Sequence, residues 1–395
     1  MSPPKAPSYQ TAVAVLVVLI VAVSVAAAAW SESQRSLAPS AGPRVGIASV
    51  EDLTPRLGEV FSPGAIQGFG ANDSSIFLAG IGVWNRPIGL TLPVIASLGA
   101  SGTASNVTPS VETYFEEGGV FGSVWNGTDW MLSGEATWGS LNEGVLITGS
   151  GDHWTNLTPL VGSYFLDGGL WAVGWNGSGW LLGGNTSHGA SLVSYDHGVV
   201  HDLTSLLTDN DPGYWIQLMV WNGSAWMLGG KGVFGTYSNG AYTDLMDESP
   251  FTDGGAYAAD WNGSAWLVGG GPAAAIVVVE GASVQPGPAL PSTFNLWPGS
   301  VIWTPAGWLV AGKGGGSPPW SGTSTPELCV WPSDQVGATV DDLSGLLPPS
   351  FEGGQVQFAW WSPLLGSNTI LLVGQGSLDA VSGYSDGAIA LLRLG

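Results

Sequence analysis

Positive charge is what this sequence has least of. Across 395 residues there are eight Lys+Arg against 30 Asp+Glu, a formal net charge of −22. Charged residues of both signs make up only 10%, where an ordinary soluble domain carries roughly 25%. Without a basic stripe to neutralise phosphates, nucleic acid is a poor partner. An anionic lipid surface would repel the chain. Cysteine is almost absent too. Cys329 is alone, so no disulfide can form within the chain. Its setting, Leu328-Cys329-Val330-Trp331, is that of a small buried hydrophobe. A hydrophobic content of 45% excludes global disorder. With so few charges, the surface falls to Gly, Ser, Thr and Asn, a composition that suits an extracytoplasmic face.

One apolar run is long enough to matter. Residues 11–29 carry no charge. As a helix they would span about 28 Å, close to the ~30 Å of a bilayer core. Lys5 precedes the run and Trp30 comes directly after it, where an interfacial aromatic belongs. The run predicts one transmembrane helix, with residues 1–10 as a short cytoplasmic segment. A cleaved signal is the alternative, since Ala27-Ala28-Ala29 offers a small-x-small site; against it, signal cores are usually about 7–15 residues. Both readings place residues 30–395 outside the cytoplasm, with residues 30–44 as a linker.

Beyond residue 45 the sequence repeats a phrase: Trp125-Asn126-Gly127, Trp175-Asn176-Gly177, Trp221-Asn222-Gly223 and Trp261-Asn262-Gly263, each with a second Trp three residues on. The asparagines are 50, 46 and 40 residues apart. A period of roughly 40–50 residues built from short strands predicts propeller blades. One unit, 168–207, divides into four strands. Strand A is 170–175. Asn176-Gly177 reads as a two-residue turn of the type that needs two positive φ angles. Strand B is 180–182, ended by Gly183-Gly184. Strand C is 191–195, and after His197-Gly198 comes strand D, 199–204. Counting such units gives seven blades. The outer strand has its own phrase, as in Asp202-Leu203-Thr204 and Asp342-Leu343-Ser344. The last unit lacks it, while an orphan copy, Asp52-Leu53-Thr54, stands at the start. The expectation is a propeller over residues 45–395, closed by an N-terminal strand at 47–55, which leaves no frayed sheet edge.

These units resemble the kelch repeat of galactose-oxidase-like propellers. The double glycines Gly183-Gly184, Gly229-Gly230 and Gly269-Gly270 match, as do Tyr195 and Tyr237 in strand C. The outer-strand Trp of that repeat is a Leu here, and the Trp-Asn-Gly turn is peculiar to this sequence. The resemblance implies an all-β, seven-bladed fold and says nothing of function. Copper chemistry of the galactose-oxidase kind would need a Cys–Tyr crosslink and convergent histidines; Cys329 lies in a strand, and no His converges on it.

Strand order places the D–A loops on one face. They carry a second phrase, such as Phe165-Leu166-Asp167-Gly168-Gly169. Five acids, Glu117, Asp167, Asp211, Asp253 and Glu352, each precede an innermost strand and would ring one mouth of the channel. Such a ring could hold Ca²⁺ through oxygen ligands or draw in a cationic ligand. Alternatively each acid serves its own turn. No other cofactor is expected. Eight Asn-x-Ser/Thr sites, Asn72, Asn106, Asn126, Asn156, Asn176, Asn185, Asn222 and Asn262, are candidates for glycosylation, with turn geometry as the competing reason for those in the Trp-Asn-Gly turns. The tandem tryptophans read as blade packing rather than a sugar platform. His188, His197 and His201 fall in one blade without the spacing of a zinc site. Gly307–Lys313 lacks the Ser/Thr a phosphate loop requires.

Taken together, these features predict a membrane-anchored extracytoplasmic propeller that binds a carbohydrate or a protein at the cell surface. The alternatives are an enzyme of carboxylate-based glycoside hydrolase type and a structural envelope protein.

Overall fold

The computed structural model describes residues 47–82, 91–115, 117–138, 141–207, 210–251, 254–271, 273–304, 307–315, 324–331, 339–366, 368–378 and 385–395. They form seven four-stranded antiparallel sheets. Six are contiguous in sequence. Blade 3 is representative, with strands Leu170–Trp175, Trp180–Thr186, Gly189–Asp196 and Val199–Asp202 in spatial order. In the seventh, Gln355–Trp361, Thr369–Leu378 and Ser385–Leu394 are completed by Ile47–Asp52, which pairs antiparallel with Ser385–Leu394. Thr54 adds a clasp: its Oγ1 accepts a hydrogen bond from the Ile389 N–H at 3.0 Å and donates to the Ile389 carbonyl at 3.2 Å.

The same clasp recurs in other blades, and it explains the outer-strand phrase. The Asx side chain accepts the N–H two residues on, as Asn106, Asn156, Asp202 and Asp342 do. The next hydroxyl along, Thr108, Thr158, Thr204 or Ser344, bonds both backbone groups of one strand C residue. The intervening leucine (Leu53, Leu157 or Leu343) is buried. Each phrase thus ties the outer strand to its sheet and plugs the core beneath it.

The apolar core is divided into seven clusters, each straddling two adjacent blades. The second tryptophan of each pair, Trp130, Trp180, Trp226, Trp266 and Trp308, is buried in one of them. Its ring lies 4.7–5.3 Å from the first tryptophan across the strand pair, so the tandem tryptophans are blade packing.

Two details of the expected blade are corrected. The Trp-Asn-Gly turn is not a two-residue turn. Trp175 pairs with Trp180, leaving four loop residues, of which Gly177 has positive φ (94°) and Asn176 does not. The Asn176 Oδ1 closes the loop by accepting the N–H groups of Ser178 and Gly179 and the Ser178 hydroxyl. The two-residue turn with both φ positive occurs between strands C and D instead, at His197-Gly198 and Asn239-Gly240. Nor does Gly183-Gly184 end strand B of blade 3. The pair lies inside it, where Gly183 pairs with Leu192 and Gly184 with Ser191, whereas Gly229-Gly230 does end the strand Trp226–Gly230 of blade 4. Residues 11–29 lie outside the described residues; among those described, no helix is long and apolar enough to cross a membrane.

Candidate functional site

The glycines inside strand B build the rim of the channel. In every blade one of them (Gly80, Gly134, Gly184, Gly230, Gly270, Gly312 or Gly374) lies against a carbonyl of strand A that a Cβ would strike. Just beyond that contact strand A bulges. The pairing shifts at Ile66/Gly68, Val120/Gly122, Leu170/Ala172, Ala256/Ala258, Pro298/Ser300 and Val356/Phe358. Blade 4 has the same step: the Trp215 N–H meets the Lys231 carbonyl while Leu218 pairs with Gly229. A bulge leaves one residue unpaired and re-aims its side chain. Those residues are Gln67, Phe121 and Trp171 in blades 1 to 3, Gln217 and Tyr257 in blades 4 and 5, and Gln357 in blade 7; blade 6 has Gly299. All are at least partly exposed. Strand A is the innermost of each sheet, and neighbouring A strands approach closely: a Cβ on Gly68 would meet the Phe121 carbonyl at 2.6 Å. The bulge residues therefore form one ring near the axis, on the side of the D–A loops.

A second ring lies beside it. The residue after each close-approach glycine is Ile81, Glu135, Asn185, Lys231, Gly271, Lys313 or Gln375. In blades 1 and 2 this position reaches toward the next blade. A Cβ on Gly169 would sit 2.9 Å from the Glu135 Oε2. The carboxyl of Glu135 thus rests at the foot of Trp171, and burial raises its pKa from 4.5 to about 7. Trp171 is held from both sides. Its Nε1–H donates to the Asn185 Oδ1 at 2.6 Å, and its ring lies 4.4 Å from that of Phe121. In the next blade, the Trp215 Nε1–H donates to the Gln217 Oε1 at 2.8 Å. Lys231 and Lys313 place their Nζ atoms 5.4 Å from the ring centres of Trp215 and Trp297, a distance at which the cation is attracted to the ring face. Burial pushes the Lys313 pKa down.

Three other shifted groups, Asp260, Glu327 and Cys329, lie within the blades. Asp260, whose pKa burial raises, bridges blades 5 and 6 by accepting the N–H groups of Trp261 and Trp303 at 2.8 and 2.7 Å. Glu327, also raised by burial, accepts hydroxyl hydrogen bonds from Thr293, Thr325 and Ser344. Cys329 is buried and free, its thiol pKa pushed up by burial.

The acids expected at the mouth stand one to a blade. Glu117 opens strand A of blade 2, half-buried and paired with Thr137. Asp167 is exposed, with φ 56° and its N–H bonded to the Asn142 carbonyl. Asp211 and Glu352 are exposed, with their backbones in local turns. Asp253 lies outside the described residues. Among the described residues no three His, Cys, Asp or Glu side chains come together as a metal site would need. The asparagines divide into three groups. Asn72, Asn126, Asn176, Asn222 and Asn262 close A–B turns through Oδ1. Asn106 and Asn156 cap the outer-strand phrase. Asn185 belongs to the rim, its Oδ1 occupied by Trp171 and the Gly169 N–H.

Sequence reasoning named acids of the D–A loops and did not single out the side chains of the rim. The signal that could have found them is a polar residue just after the glycines of an otherwise apolar strand B: Glu135, Asn185, Lys231, Lys313 and Gln375.

No family model matches the sequence, and no curated protein does. Among solved structures it is similar to the β-propeller domain of the Trilobed protease from Pyrococcus furiosus, with 6% identity and TM-score 0.45 over 82% of this chain and 95% of that one. It is also similar to an α-L-arabinofuranosidase from Fusarium graminearum in complex with an iminosugar inhibitor, with 10% identity and TM-score 0.46 over 84% and 94%. A third is a puromycin-hydrolysing peptidase from Mycobacterium tuberculosis, with 12% identity and TM-score 0.46 over 88% and 56%. At these identities and scores the likenesses carry nothing about activity.

Proposed function

We propose that this protein is a kelch-like propeller displayed outside the cytoplasm that binds a carbohydrate at the rim of its channel. The repeated bulge of strand A carries the reading. Six of the seven departures from regular pairing aim a side chain at the rim, and those side chains are amides and aromatics rather than the aliphatics that fill the blades. Aromatic faces stack on sugar rings, and amides both donate and accept hydrogen bonds to hydroxyls. Trp171 is fixed by its bond to Asn185 and its contact with Phe121, so little freedom is lost when a ligand docks on it. The apolar run 11–29 and the scarcity of charge support display outside the cytoplasm.

The test is a glycan array probed with the purified full-length protein, repeated with Trp171→Ala and Gln217→Ala and paired with an assay for release of reducing ends. Selective binding weakened at least tenfold by either variant, without turnover, is expected. Binding that both folded variants retain in full would move the site elsewhere. Turnover would replace the module with a hydrolase.

A further inference from the structure

Lysine is rarer here than any other charged residue: Lys5, Lys231 and Lys313 are the only three. The two that belong to the propeller occupy the same place in different blades. Each comes directly after the close-approach glycine of strand B, Gly230 or Gly312, at the channel rim. Each lies over the tryptophan directly across the strand pair, 5.4 Å from its ring centre. The other five blades hold no cation at that position.

Each lysine has its tryptophan as a neighbour but, among the described residues, no ion pair with an acid, whereas Arg56 and Arg393 both bind Glu51 at the closing strand. Thirty acids were available to this sequence, yet two cations stand at the rim with aromatic neighbours instead. Lys313 is partly buried, and an unpaired cation removed from water is unfavourable unless an anion joins it. The surroundings also leave room for one. Between the two lysines, blade 5 carries Gly271 at the equivalent position, with the Tyr257 ring within van der Waals reach of where a Cβ would be. With no side chain at Gly271, the stretch of rim between the two lysines carries the Tyr257 ring as its nearest side chain. On the opposite part of the rim, Glu135 titrates near 7, so its carboxyl carries less than full charge at neutral pH and repels an anion less than an ordinary glutamate would.

We propose that the channel rim binds an oligosaccharide of carboxylate-bearing sugars, with Lys231 and Lys313 each offering a cation to a carboxylate and the neighbouring aromatic rings and amides meeting the sugar rings. This inference rests on the carbohydrate reading and narrows it to an acidic saccharide. An acidic peptide would satisfy the lysines but would leave the amides and the Tyr257 face without matching hydroxyls and ring. Long-range repulsion from the net charge of −22 should slow association with any anion, so the selectivity must arise from these local contacts.

The probes are oligosaccharides of galacturonate, glucuronate and mannuronate, each beside its methyl ester, titrated calorimetrically into the full-length protein. The ester keeps the sugar ring and removes the charge. The expected result is at least one uronate bound tenfold or more tighter than its own ester. Lys231→Met and Lys313→Met together, which keep the apolar stems over the tryptophans, should abolish that discrimination while the ester still binds. Equal binding of acid and ester by the parent protein overturns this inference and leaves the carbohydrate reading intact. No binding of either form, beside neutral oligosaccharides that also fail, overturns both. Polyglutamate bound as tightly as the best uronate overturns the saccharide assignment. Should the double variant fail to fold, the acid–ester comparison on the parent still decides.

Discussion

Glu135→Gln is expected to stabilise this protein in alkaline solution and to leave its stability unchanged in acid. The carboxyl of Glu135 lies against Gly169 at the foot of Trp171, and burial raises its pKa from 4.5 to about 7. Below pH 4.5 the group is protonated in both the folded and unfolded chain, so it favours neither. Between 4.5 and 7 the unfolded chain releases the proton and the folded chain keeps it. Stability falls across that window by up to about 1.4 kcal/mol per pH unit, because the unfolded state binds fewer protons. Above 7 both forms are ionised and the penalty stays constant, at no more than about 3–4 kcal/mol. Solvent at the open edge of the rim screens the charge and holds the realised value below that ceiling. Glutamine has nearly the same shape and does not titrate, so it removes the penalty. Urea unfolding of parent and variant at pH 4, 5.5, 7 and 8.5 reads the difference directly. The gap between the two midpoints should be near zero at pH 4, open through 5.5 and level off above 7. A gap that does not change with pH would show that Glu135 titrates normally and that burial at this rim is not what sets its charge. A parent more stable than the variant at pH 8.5 would show that the ionised carboxylate has a stabilising partner.

Two further predictions test the elements that hold the ring together. Thr54→Val keeps the shape of the closing clasp but removes the hydroxyl that bonds both backbone groups of Ile389. It should cost about 1–2 kcal/mol and make the chain around residues 47–57 more sensitive to limited proteolysis; unchanged unfolding and cleavage would mean that the strand pairing alone closes the ring. In the Asn222 turn, Oδ1 accepts three hydrogen bonds, from the Ser224 N–H and hydroxyl and from the Ala225 N–H. Asn222→Ala should therefore lower stability by about 1 kcal/mol while Asn222→Asp, which retains the accepting oxygen, should not; equal losses from both substitutions would point to the amide nitrogen instead.

The amino-acid sequence by itself determined the architecture, because the information for it is local and repeated. The Trp-Asn-Gly phrase marks an A–B turn wherever it stands, since one side chain, such as that of Asn176, closes the loop from within. The Asp-Leu-Thr phrase marks an outer strand for the same reason: its carboxylate and hydroxyl act within a few residues and one sheet. Seven such units can be counted without knowing how they meet. The rim could not be read that way. Whether strand A bulges depends on its register against strand B, and a bulge needs only one residue more on one side than on the other. The glycines that permit it read as strand ends, because their close neighbour is a carbonyl across the pairing, as Gly184 finds at Gly169. Glu135, Trp171, Lys231 and Lys313 come from four blades, separated by up to 178 residues. Only closure of the ring brings their strands around one axis. The acids of the D–A loops were legible because they recur in a fixed phrase. The side chains at the rim differ from blade to blade, so no repeated phrase marks them in the sequence.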